Sequence, residues 1–154
     1  MTVKIINANP YGPLSQQRIE MFESGTHISL PKDYRNFLLK YNGGQPVPSF
    51  FWIEQQKDGS AVYQFYGLHA GPRHLSIETF ADQERYGIPS WMLPIGDDGV
   101  GNFIGIGVSP TNFGDIYFLD HDLHPYQNPN SSKGIKKLSN SFAEFLDSLI
   151  ESPE

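Results

Sequence analysis

Between residues 30 and 44 the chain reads LPKDYRNFLLKYNGG, and this run carries a start, a stripe and a stop. Pro31 suits the first turn of a helix, where the N–H that proline lacks has no intrahelical acceptor. Leu30, Tyr34, Phe37, Leu38 and Tyr41 recur at helical spacing and form one apolar stripe. Lys32, Asp33, Arg35, Asn36 and Lys40 fill the opposite face, toward water. Asn42-Gly43-Gly44 accepts the left-handed backbone that closes a helix C-terminus. The physics predicts a short amphipathic helix with defined ends, which must bury its stripe against something else.

Working outward, the N-terminal side predicts a first helix over Leu14–Glu23, with Leu14, Ile19, Met21 and Phe22 apolar and Ser24-Gly25 ending it. Residues 1–13 hold two prolines and little periodicity beyond Val3, Ile5 and Ile6, which predicts a loose arm with a short edge strand. On the other side, Val47–Gln56 is an apolar and aromatic run, and Pro46 and Pro48 make its beginning edge-like. Lys57-Asp58-Gly59-Ser60 reads as a hairpin turn because Asp-Gly favours positive backbone angles. Ala61–Leu68 then returns as a strand, with Tyr63 and Phe65 on one face and Val62, Gln64 and Tyr66 on the other.

One short helix is expected over Glu78–Tyr86, closed by Gly87 and Pro89. A second antiparallel set follows, with strands from Trp91, Asn102 and Asp115 and turns over Gly96–Gly101 and Ser109–Gly114. Leu123–Lys137 is rich in Pro, Asn, Ser and Lys and reads as one long irregular loop. The last helix is strongly signalled: Phe142, Phe145, Leu146, Leu149 and Ile150 fall at i, i+3, i+4, i+7 and i+8, and Ser141 and Glu144 have capping-box spacing.

Three of these stretches, in this order, resemble the SUKH superfamily, the Smi/Knr-like group of bacterial immunity proteins and fungal cell-wall regulators. Glu23 stands where the leading acid falls, seven residues before Leu30-Pro31, and Asp33-Tyr34, Phe37-Leu38 and Asn42-Gly43-Gly44 follow. Ile116-Tyr117 and Asp120-His121 match a strand that ends in Asp-His, and Ser141-Phe142 with Phe145-Leu146 matches the C-terminal helix. The expected fold class is α+β: two N-terminal helices, a mainly antiparallel sheet of about five or six strands, and a C-terminal helix packed on the sheet. At 154 residues a single domain over 1–154, with its core at about 14–150, is expected to bury a real core. Eleven Phe, eight Tyr and two Trp must supply much of it.

Composition also excludes. Without cysteine there are no disulfides, thiolate nucleophiles or cysteine-based metal sites. No long apolar run marks a signal peptide or a membrane span, so the expected location is the cytoplasm, with no membrane partner. A net charge of −6 argues against direct nucleic-acid binding. Aromatics at Phe50, Phe51, Trp52, Tyr63, Phe65 and Tyr66 would suit base stacking, but Lys57 is the only Lys or Arg between Lys40 and Arg73. Gly96, Gly99, Gly101, Gly105 and Gly107 lack the spacing of a phosphate-binding loop. No G-x-S-x-G elbow is present.

Asp120-His121-Asp122, with His124 and Asp97-Asp98 nearby in sequence, has metal-ligand residue types. On a strand, however, Asp120 and His121 would point to opposite faces, so no metal and no other cofactor is expected. A binding surface remains. Glu54, Asp58, Asp97, Asp98, Asp120 and Asp122 fall at strand ends and turns, and Trp52 and Trp91 are the candidate aromatic anchors. The resemblance implies a non-catalytic immunity protein, a monomer or weak dimer, that binds a basic toxin domain and occludes it. A protein-interaction adaptor of the cell-wall regulator type, or a metal-dependent hydrolase built on Asp120, His121 and His124, are the alternatives.

Overall fold

The computed structural model describes residues 3–153; Met1, Thr2 and Glu154, which the expected arm and domain include, lie outside them. In chain order the elements are β1 (Lys4–Ile6), α1 (Gln16–Thr26), α2 (Lys32–Tyr41), β2 (Gln45–Val47), β3 (Phe50–Glu54), β4 (Asp58–Ala61), β5 (Gln64–Phe65), α3 (Ile77–Phe80), β6 (Met92–Asp97), β7 (Phe103–Gly107), β8 (Ile116–Leu119), β9 (Ile135–Ser139) and α4 (Phe142–Ser148). Strands β5 to β9 form a five-stranded sheet in sequence order, every neighbouring pair antiparallel. Strands β1 and β2 pair with each other, as do β3 and β4.

The opening stretch folds as its pattern requires. Tyr34, Phe37 and Leu38 of α2 are buried, and Asn42 closes the helix in the left-handed region at φ 40°. The acid that precedes the helix fixes the link between α1 and α2. Glu23 Oε2 accepts the Leu30 N–H at 2.8 Å, while Oε1 lies 3.5 Å from Arg35. Asp33, expected to face water, instead accepts the Ala143 N–H at 2.9 Å. It thereby caps α4 together with Ser141, whose Oγ accepts the Glu144 N–H at 3.1 Å.

An aromatic spine joins helices to sheet, as the composition requires. Phe142 of α4 lies 5.2 Å from Tyr34, 4.9 Å from Phe37 and 5.5 Å from Phe65, edge-on in each case. Phe145 meets Phe51 at 5.5 Å, which seats the β3–β4 hairpin on α4. Ile104, Ile106, Ile116 and Phe118 complete this core from one sheet face. Met92, Leu119 and Ile88 form a smaller cluster on the other.

Several local readings are corrected. The hairpin turn lies at residues 55–57, with Gln56 at φ 64°, so Asp58 and Gly59 belong to β4 and not to a turn. Gly59 sits opposite Trp52, and a Cβ there would collide with the ring of Phe50; glycine is in the strand because an aromatic ring covers it. The expected strand Val47–Gln56 is split, because Val47 pairs toward β1 and Phe50 toward β4. The expected return strand divides too: Val62 N–H bonds to Ser49 O while Tyr63 N–H bonds to Asp97 O, so the chain changes sheets between them. Simple alternation fails there, leaving Tyr63 exposed and Phe65 and Tyr66 both buried.

The helix expected at 78–86 is a four-residue α3 followed by a separate 3₁₀ turn at Glu84–Tyr86. The expected loop 123–137 ends early, because Ile135–Ser139 is the outer strand β9; its lysines hide it from a hydrophobic pattern and suit a sheet edge. In α4 the helix stops at Ser148, and Ile150 pairs with Phe50 as extended chain.

Candidate interaction surface

The β6–β7 turn carries Asp97 and Asp98, and both carboxylates are held by neutral donors. Asp98 Oδ1 accepts the N–H groups of Val100 and Asn102, and Oδ2 accepts from Asn102 Nδ2 at 2.8 Å and Ser60 Oγ at 3.1 Å. Asp97 Oδ2 accepts from Tyr66 Oη at 2.8 Å and Gln64 Nε2 at 3.3 Å, and Oδ1 from the Gly99 N–H at 3.0 Å. Burial, reinforced by the Asp97 charge, pushes the Tyr66 phenol pKa far up, so it remains a donor.

Strand β8 ends at Leu119, so Asp120, His121 and Asp122 lie on a turn and not on the strand that the opposite-faces argument assumed. The turn gathers their ligand-type atoms to within 4.8 Å of one another. Those groups already serve each other: Asp120 Oδ1 accepts the Asp122 N–H at 2.9 Å, and His121 Nε2 lies 3.2 Å from Asp122 Oδ1. His124 stands apart, buried, with Nδ1 donating to Lys133 O at 2.8 Å.

Asn102 joins the two acidic turns. Its Oδ1 accepts both the backbone N–H of His121 at 3.0 Å and His121 Nδ1 at 2.7 Å, while its Nδ2 holds Asp98. Asp97, Asp98, Asp120 and Asp122 thus belong to one end of the sheet. Among the described residues none of the four has a Lys or Arg within ion-pair distance, whereas Glu23, Glu78 and Asp115 each do. The β4 strand reaches this end through Ser60, whereas Asp58 lies two residues along β4 next to the hairpin turn; Glu54, opposite Asp58, pairs with Lys57 at 3.5 Å.

The candidate aromatics separate. Trp52 stays on the hairpin, edge-on to Phe50 at 5.0 Å. Trp91 sits in the turn just before β6, the strand that Asp97 ends, about 20 Å away at the rise of a strand. It packs on Tyr117 at 5.3 Å, and its indole N–H reaches Asn130 O at 3.4 Å, so the 120–134 loop folds back over it. The exposed apolar groups at the acidic end are instead Tyr63 (57% accessible) and Val100 (71%). In the sequence Tyr63 stood out only as one of six clustered aromatics, and Val100 and Asn102 had no assigned binding role. An exposed tyrosine in a strand-like run reads as core, and the partners of Asn102 lie on separate turns.

The described residues include no helix long and apolar enough to cross a membrane. The chain is 28% identical to the SPbeta prophage-derived uncharacterized protein YokK of Bacillus subtilis (strain 168), in an alignment covering 96% of this chain and 81% of that protein. The profile of the SMI1 / KNR4 family (SUKH-1) matches residues 13–148, from just before the first helix to the end of the last. The chain belongs to the SMI1 / KNR4 family (SUKH-1).

Proposed function

We propose that this protein is a non-catalytic immunity protein of the cytoplasm that binds a basic toxin domain and neutralises it by covering its active cleft. The observation that carries the reading is the acidic end of the sheet, where the carboxylates of Asp97, Asp98 and Asp120 are fixed by backbone and neutral side-chain donors, Asp122 lies beside His121, and, among the described residues, none of the four is matched by a Lys or Arg. A preorganised negative surface speeds encounter with a positive partner and selects against acidic ones. A toxin that cleaves nucleic acid must present positive charge to phosphate, which makes it a fitting target. Family membership and a prophage-derived relative support the same reading. Inhibition by occlusion needs no chemistry from the inhibitor.

The test is recovery of partners from lysate of the source cell at low and high salt, followed by co-expression with the recovered toxin domain. A one-to-one complex weakened by salt, insensitive to chelator and able to restore growth, is the expected result. Recovery of signalling or wall-synthesis proteins, with no rescue from any toxin domain, would overturn the reading in favour of an adaptor.

A further inference from the structure

Beside the β6–β7 turn lies a cleft of about 290 Å³ lined by Tyr63, Tyr66, Asp97, Gly99, Gly101 and Phe103, among others. We propose that this cleft receives an arginine side chain from a protein partner, with Asp97 taking its charge and Tyr63 and Phe103 packing against its planar guanidinium. The proposal deepens the immunity reading by naming what the acidic end takes from a basic partner, and it rests on that reading only for the partner's identity.

Three observations converge. Asp97 accepts three hydrogen bonds from neutral donors, which aim the carboxylate without cancelling its charge. A carboxylate offers about four acceptor positions, so one remains, on Oδ1. Among the described residues no Lys, Arg or His lies within 4.0 Å to occupy it. Second, a large aromatic ring stands in water at the cleft: Tyr63 lies against Gly99, whose φ of +82° and missing Cβ let the ring approach. Third, Phe103 lines the cleft while packing edge-on to Phe80 at 5.2 Å, which holds its ring in place.

The chemistry selects the ligand. One carboxylate between aromatic rings is a poor divalent-cation site, because such ions take several oxygen ligands. Anions are repelled by the neighbouring acids. A guanidinium is planar, weakly hydrated and stacks on rings, whereas an ammonium is a strongly hydrated point charge. The cleft therefore prefers arginine to lysine.

The test uses the full-length ¹⁵N-labelled protein and three capped tripeptides, Gly-Arg-Gly, its neutral isostere Gly-citrulline-Gly, and Gly-Lys-Gly, followed by amide shifts. The expected result is a saturable shift of the Gly99 and Gly101 amides with the arginine peptide, about threefold weaker binding of lysine, and no saturation with citrulline. Asp97→Asn should weaken arginine binding about tenfold or more. Tyr63→Ala should weaken it about threefold, and because that ring is exposed the variant keeps its fold. Equal responses to arginine and citrulline, equal binding of lysine, or unchanged binding in both variants would overturn the assignment. Since no toxin is used, such a failure leaves the immunity reading standing, and failure of the rescue assay leaves this site standing.

Discussion

Asn42 is where the helix cap and the tertiary structure meet, and its replacement gives a graded test of both. Its side chain is 1% accessible; Nδ2 donates to Gly12 O at 3.0 Å and Leu68 O at 3.1 Å, and Oδ1 accepts the Leu68 N–H at 2.8 Å. Its backbone sits at φ 40°. Asn42→Gly removes the three bonds and keeps a residue at ease in the left-handed region. At about 1 kcal/mol net for each bond, the expected loss is about 3 kcal/mol. Asn42→Ala adds the left-handed penalty of about 1–2 kcal/mol, for a total of about 4–5 kcal/mol. For a chain of this size that corresponds to a fall in Tm of about 10–15 °C. Urea denaturation followed by circular dichroism should rank wild type above Gly above Ala, with equal m-values. A Gly variant within about 0.5 kcal/mol of wild type would refute the role of the side-chain bonds. An Ala variant more stable than Gly would refute the backbone argument.

Two further outcomes follow from single groups. His69 Nδ1 accepts the Gly71 N–H at 3.0 Å while Nε2 meets Leu75 O at 3.1 Å, an arrangement of neutral imidazole. Burial lowers its pKa, with the bond to Leu75 acting in the opposite sense. The unfolded chain then binds the proton more readily than the folded one, so the stability from His69 is full above the ordinary value near 6.5, is lost as pH falls through it, and levels off below the lowered folded value. His69→Asn should flatten that part of the urea-midpoint profile; parallel wild-type and variant profiles would exclude the linkage. The Tyr34 hydroxyl is buried without a hydrogen-bond partner among the described residues, and its burial drives the phenol pKa up. Tyr34→Phe should therefore hold stability or raise it by about 1 kcal/mol, read by thermal melting, and a loss of that size would contradict the account.

What the sequence by itself determined is what local physics encodes. Helix α2 announced its ends through Pro31 and Asn42-Gly43-Gly44, and α4 its beginning through Ser141 and Glu144, because capping and the 3.6-residue period act within a turn or two of chain. The Gly- and Asp-rich turns placed Asp97, Asp98, Asp120 and Asp122 at strand ends for the same reason. Tertiary structure decided the rest. Strand β9 is made a strand by pairing with β8, against its own polar pattern. Gly59 is set in a strand by the ring of Phe50. Asp33 caps a helix 110 residues away, and Asn102 binds His121 across two turns. The cleft at Asp97 combines residues from β5, β6, β7 and the chain before β5. Contacts between side chains distant in sequence leave no periodic trace in the chain; they exist only once hydrophobic burial has brought the elements together.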